Sequence, residues 1–170
     1  MTGVVFAGEL FTIKRSLDGR GRVREVCSRL PTVGVIAVTD DKKIVLVNER
    51  RDKYKDRVYS LPSGRVDKES KPEEGAQREL REETGLRADI LELFMRSEPS
   101  NTLEYDRLVY IARGLRSDPL PQDDDEDIQV EYKTLEEAAM LALEGKIRPE
   151  ISALAILRFK FAVEIGKIDL

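Results

Sequence analysis

The chain has 170 residues, of which 41% are hydrophobic and 36% are charged, and its formal net charge is −4. This length and apolar share are typical of one globular domain with a charged surface. The sequence has no histidine and one cysteine, which excludes catalytic pairs that need imidazole, His-rich or Cys-rich zinc sites and an intrachain disulfide. Any acid–base chemistry must use carboxylates, lysine, tyrosine or metal-activated water.

No apolar run comes near the roughly 18 residues of a membrane span, and the first residues lack the basic start of a signal peptide. We therefore expect a cytoplasmic protein without a membrane partner. The negative net charge provides no general attraction to nucleic acid. An anionic small molecule would need a local basic pocket.

The first 30 residues predict two strands, 4–17 and 23–29, around a turn at Asp18 and Gly19. A hairpin of this size is marginally stable alone. We expect this amino-terminal extension, residues 1–30, to lie on the main sheet or on another subunit.

The remaining residues, 31–170, alternate apolar strands with helical segments, and Gly85 is expected to end the first helix in the left-handed conformation. This order predicts an α+β fold in which a mixed sheet is sandwiched between helices. The predicted strands are 33–39, 44–50, 89–96, 105–113 and 127–133, and the predicted helices are 71–84, 134–145 and 148–164.

Three acids crowd the end of the first predicted helix. At 100° per residue, Glu79, Glu82 and Glu83 fall within an arc of about 100° beside the apolar stripe that contains Leu80. Like charges at this spacing repel, so a hard cation such as magnesium is one explanation. An ion-paired surface helix is the other, since Arg78 and Glu82 make a favourable pair, and the helix alone leaves both open.

The surrounding stretch LPSGRVDKESKPEEGAQRELREETGL resembles the Nudix box of the Nudix hydrolases. One position departs from the pattern, because Ser70 stands where the box has its first glutamate. The matching residues are Gly64, Arg78, Glu79, Leu80, Glu82, Glu83, Gly85 and Leu86.

The resemblance implies the Nudix fold and a divalent metal site of two or three magnesium or manganese ions. Glu79 and Glu83 are the implied principal ligands, with Glu82 as a further ligand or a base and the main-chain carbonyl of Ser63 as another ligand. Gly64 is expected to let the backbone turn tightly into the site.

The resemblance implies that Arg78 is a catalytic residue. The contact that holds it must differ here, since family members hold this arginine with the glutamate that Ser70 replaces. Ser70 instead fits a capping box with Glu73, and Ser70→Ala is then expected to cost about 1 kcal/mol. Glu69, one residue earlier, is the candidate to hold Arg78.

Most of the chain is similar to the ADP-ribose pyrophosphatases of this family. The resemblance implies magnesium-dependent hydrolysis of ADP-ribose to AMP and ribose 5-phosphate by a homodimer whose amino-terminal strands exchange between subunits. The alternatives are another substrate (a modified nucleoside triphosphate, a dinucleoside polyphosphate or a nucleotide sugar) or a nucleotide sensor that does not cleave.

Two charged runs flank this motif. In the basic run of residues 50–57, Arg51 and Arg50 are expected, together with Gly64, to contact the substrate, because guanidinium suits bidentate phosphate binding. In the acidic run of residues 122–127, the resemblance places a general base, for which Glu126 aligns best and Asp124 second. Glu82 is the alternative base.

Overall fold

A computed structural model describes residues 3–50, 56–97, 101–122 and 127–170. Its amino-terminal strands are β1 (Gly3–Ala7), β2 (Thr12–Leu17) and β3 (Val23–Ser28), followed by β4 (Thr32–Val38), β5 (Ile44–Glu49), β6 (Val58–Ser60) and β7 (Ser63–Arg65). The remaining elements are α1 (Pro72–Thr84), β8 (Leu86–Ser97), β9 (Leu103–Glu104), β10 (Arg107–Ser117), β11 (Ile128–Lys133), α2 (Leu135–Leu143) and α3 (Glu150–Glu164).

The main sheet is mixed and follows the order β11-β5-β4-β10-β8, with β6 beside β5 and β7 beside β4. Only β4 and β10 run parallel among these pairs, with Val35 opposite Tyr110. Two continuous apolar runs lie between residues 33 and 50, and they form strands in the middle of the sheet. They are buried on both faces, as such runs predict.

Helices cover both faces of this sheet. On β4, Val35 and Ala37 point to the core under α1, where they meet Leu80. The alternate residue Ile36 points to the other core, under α2 and α3, where it joins Phe159. Alternation along a strand thus divides the apolar residues into two layers, and the predicted α+β sandwich is confirmed.

The amino-terminal segment differs from the predicted hairpin. The first predicted strand is interrupted between β1 and β2, where the Gly8 amide donates to the Phe11 carbonyl at 3.0 Å. The turn at Asp18 forms as expected, since its carboxylate accepts from the Arg20 and Arg22 amides at 2.8 and 3.0 Å. The strands do not join the main sheet but form a separate one, β1-β2-β3-β9, in which β9 runs parallel to β3.

The start of α1 corrects a second expectation. The helix begins at Pro72 with Lys71 as its N-cap residue, and no side chain caps it. Ser70 lies too early in the chain to be the cap, and its hydroxyl is 3.5 Å from a Glu74 carboxylate oxygen. The predicted capping role of Ser70 is therefore wrong, whereas Gly85 ends the helix at φ 72° as predicted.

The described residues include no helix that is both long and apolar enough to span a membrane.

Candidate functional site

Arg78 lies at the centre of an acidic cluster between α1 and the segment that follows β7. Its Nε donates to Glu69, its Nη1 to Glu82, and its Nη2 lies 2.8 Å from Glu79 Oε1. A more distant carboxylate, that of Asp67, is 3.8 Å from Nη2. Four carboxylates therefore surround one guanidinium, and the cluster carries an excess of negative charge.

The environment keeps Arg78 charged. Burial by itself lowers the pKa of this guanidinium, but the hydrogen bond to Glu69 and the charges of Glu79 and Glu82 outweigh burial and raise the pKa above its ordinary value. Nη2 also donates to the Arg65 carbonyl at 2.9 Å. The side chain is thus fixed by contacts along its whole planar end.

Glu79 lies directly against Gly64, across from β7. A Cβ atom built on Gly64 would be 1.9 Å from Glu79 Oε1, well inside van der Waals contact. Gly64 lies within the short strand β7 rather than in a tight turn, and its φ is not positive. Glycine is needed at this position because the carboxylate approaches the backbone closely.

Glu83 connects the helix to the same short strand. Its Oε2 accepts a hydrogen bond from the Ser63 amide at 3.0 Å, and the residue is 6% exposed. Glu79 is similarly buried at 8%. The helical spacing of four residues therefore brings Glu79 and Glu83 to Ser63 and Gly64 in β7.

The donor chemistry of the cluster fits a hard divalent cation. Glu79, Glu82 and Glu83 provide carboxylate oxygens, the ligands that magnesium and manganese prefer. In the described ranges no three acidic, histidine or cysteine side chains are arranged as a preformed metal-binding group, and Arg78 lies between Glu79 and Glu82. The site therefore has suitable ligands for a metal ion, and the Arg78 guanidinium lies among them.

A cavity of about 350 Å³ lies beside Ser63 and Gly64. Three basic side chains line it, those of Arg29, Arg65 and Arg107. A local basic pocket of the kind that an anionic small molecule needs is therefore present, but none of its three arginines was predicted from the sequence. Arg107 gave no local signal, because it reaches the cavity through the parallel pairing of β10 with β4, where it lies opposite Thr32. Arg29 lies between β3 and β4, and its amide donates to the Glu104 carbonyl at 3.2 Å.

Residues at the ends of the two charged runs lie close together. The Arg50 amide donates to the Asp127 carbonyl at 3.1 Å, and Arg57 Nη1 lies 2.9 Å from Asp127 Oδ2. The predicted contacts of Arg51 with substrate and of Glu126 or Asp124 as base fall outside the described residues. Arg57 and Asp127 are a pair that sequence reasoning did not single out.

Comparisons with known proteins identify the family of this chain. The family model described as the NUDIX domain matches residues 28–154. An ADP-ribose pyrophosphatase from Bacillus subtilis is 31% identical over 156 residues, covering 88% of this chain and 84% of its own. Another from Mycobacterium tuberculosis is 30% identical over 158 residues, covering 88% and 76%.

One further relative and one solved structure also match this chain. A methanol dehydrogenase activator from Bacillus methanolicus is 29% identical over 165 residues, covering 91% of this chain and 88% of its own. The crystal structure of an ADP compounds hydrolase superposes with a TM-score of 0.78 at 20% identity, covering 99% of this chain and 95% of that one. The structural match supports the fold.

Proposed function

The chain belongs to the NUDIX family of hydrolases, and on that premise we propose that it cleaves the pyrophosphate bond of ADP-ribose to AMP and ribose 5-phosphate with magnesium. The observation that carries the proposal is the acidic cluster around Arg78, set against Gly64 and beside a cavity lined by arginines. The two relatives named ADP-ribose pyrophosphatase support the choice of substrate.

In this proposal Glu79 and Glu83 are the principal ligands of two or three magnesium or manganese ions, with Glu82 and the Ser63 carbonyl as further ligands. Enzymes of this family generally use divalent ions. When bound, such ions polarise a phosphate oxygen and lower the pKa of a coordinated water.

The chain's own residues supply the other requirements of the reaction. Arg78 steadies Glu79 and Glu82, and Gly64 leaves room for the Glu79 carboxylate. The arginines of the cavity offset the charge of the pyrophosphate. We assign Arg50 and Arg51 to substrate binding and Glu126 to proton removal, with Asp124 or Glu82 as the alternative base.

We also propose that the chain works as a homodimer, with residues 1–30 at the interface and residues 31–170 as the hydrolase domain. The support is the amino-terminal sheet, whose strands are largely exposed. Its fourth strand, β9, comes from a later part of the chain, and just before β9 the Thr102 carbonyl accepts from the Cys27 amide at 2.8 Å.

The test is release of AMP from ADP-ribose with magnesium, compared between wild type and Glu83→Gln. This substitution keeps the shape of the side chain but removes the charge of a predicted ligand, so we expect turnover to fall by about 100-fold. Glu144→Gln is the matched control, because Glu144 pairs with Lys146 on the surface and its loss should leave turnover unchanged. Equal turnover in wild type and Glu83→Gln would contradict the assignment.

A substrate panel separates the remaining functions. Preferential turnover of a modified nucleoside triphosphate, a dinucleoside polyphosphate or a nucleotide sugar would replace ADP-ribose as the substrate. Nucleotide binding without turnover of any diphosphate would favour a sensor, a second candidate that the relative named as a dehydrogenase activator supports.

A further inference from the structure

The residue that holds Arg78 is displaced by one position from the family's motif. Ser70 stands where the motif has glutamate, and its hydroxyl is directed to Glu74 rather than to Arg78. Glu69 makes the contact instead, through its Oε1 and the Arg78 Nε. Both side chains are well buried, with 12% and 16% of their surfaces exposed.

Glu69 contacts the Nε atom of Arg78, and this atom determines what the contact does. A guanidinium is planar and rigid, so a carboxylate that fixes Nε also fixes the directions of the other two nitrogens. Those nitrogens meet Glu82 and Glu79. Glu69 therefore orients the cation that lies between two of the predicted metal ligands.

Gly75, on the first turns of α1, leaves the space that Glu69 occupies. A Cβ atom at Gly75 would be 3.4 Å from Glu69 Oε2 and 3.3 Å from Val66 Cγ2. The first distance is an ordinary van der Waals contact and the second is slightly closer than one, so glycine lets both side chains pack closely against the helix. A side chain larger than a methyl group at position 75 would therefore press on Glu69 Oε2, whereas Glu69 Oε1 meets Arg78.

We propose that Glu69 is a positioning residue that holds Arg78 from one residue outside the motif, and that Gly75 makes room for it. This role of Glu69 rests on one part of the proposed function, namely that the acidic cluster binds a divalent metal. Through Arg78, Glu69 keeps the carboxylates of Glu79 and Glu82 apart and in fixed orientations. Its loss should therefore weaken metal binding more than substrate binding.

The experiment measures manganese affinity by calorimetry without substrate, and then kcat and KM for ADP-ribose. For Glu69→Gln we expect affinity and kcat to fall by about 10- to 100-fold, the usual effect of losing a residue that orients ligands. KM for ADP-ribose should change by less than about threefold, because neither Glu69 nor Arg78 is among the residues that line the arginine-lined cavity. Ser70→Ala is the control, with wild-type values expected.

A double-mutant cycle tests whether Glu69 acts through Arg78. Arg78→Lys keeps a positive charge but loses the planar fork. If the two residues act as a unit, the double variant should be within about twofold of Arg78→Lys in manganese affinity. Losses that multiply would overturn the proposal, as would wild-type affinity and kcat in Glu69→Gln.

Glu69→Asp provides a second variant if Glu69→Gln does not fold. It keeps the negative charge but is one methylene shorter, so its carboxylate should lose the contact with Arg78 Nε and manganese affinity should fall. Unchanged affinity in folded Glu69→Asp would overturn the proposal. If wild type binds manganese but releases no AMP from ADP-ribose, the proposed substrate fails, and the affinities of the variants still decide the role of Glu69.

Discussion

Gly64 and Glu79 show how one residue's identity is set by a neighbour far along the chain. The close approach of the Glu79 carboxylate leaves no space for a Cβ atom on β7. Glu79 is also held by Arg78 Nη2 at 2.8 Å, so it cannot yield to a new side chain without leaving that partner. The glycine therefore protects the position of a predicted metal ligand.

Gly64→Ala is expected to lower metal affinity and turnover by about 10-fold or more, because the methyl group must displace the Glu79 carboxylate. Calorimetric titration with manganese and the rate of AMP release measure both effects. Gly19→Ala is the control, since no atom lies within 4 Å of a Cβ built there. Metal affinity equal to wild type in Gly64→Ala would show that Glu79 is not a ligand.

The motif indicated which residues gather at the site but not every contact between them. The spacing of Glu79 and Glu83 placed both acids on one side of α1, since a helix fixes that geometry locally, and in the structure they meet Ser63 and Gly64 of β7. Glu69 was the candidate to hold Arg78, and the structure confirms this contact. The predicted cap at Ser70 failed, because the sequence does not show where the first helical turn begins. The structure starts that turn at Pro72, which leaves Ser70 outside it.

At the scale of elements, α1 and α2 begin in different ways. At α2 the Thr134 hydroxyl accepts from the Glu137 amide at 3.2 Å, and the Glu137 carboxylate accepts from the Thr134 amide at 2.8 Å. This is the capping box that the sequence predicted for Ser70 and Glu73. At α1 no side chain accepts from the first amides, and Pro72 provides the start.

Thr134→Ala and Ser70→Ala should therefore differ in thermal stability. Loss of the Thr134 cap removes a hydrogen bond to an otherwise unpaired amide and is expected to cost about 1 kcal/mol, or about 2–4 °C in Tm for a chain of this size. Ser70→Ala should leave Tm nearly unchanged. Calorimetric melts of both variants check this, and an equal fall in Tm would restore Ser70 as a cap.

The predictable elements were those with a strong local pattern. The strands 33–39 and 44–50 and the helix 71–84 have apolar periodicity and a terminating Gly85, and the structure confirms them within one or two residues. The parallel pairing of β10 with β4 had no such signal, because it joins residues distant in the chain. That pairing is what brings Arg107 beside Gly64 in the cavity.

At the scale of the whole molecule, the two sheets are very different in burial. The main sheet lies between two apolar cores, whereas β1, β2 and β3 have few buried side chains. Leu17 and Val23 are directly paired across β2 and β3, so they share one face. They are 52% and 64% exposed, which leaves an apolar face available to a second subunit.

The double substitution Leu17→Lys and Val23→Lys is expected to convert the proposed dimer to a monomer. Paired lysines on a buried face would be desolvated and would repel one another and their symmetry-related copies, since a two-fold interface uses the same patch twice. Sedimentation velocity at several concentrations measures the change. Leu143→Lys is the control, because Leu143 is 68% exposed on α2 and belongs to neither strand. A monomeric wild type would contradict the proposed dimer. A dimer that survives the double substitution but not Leu143→Lys would place the interface outside the amino-terminal sheet.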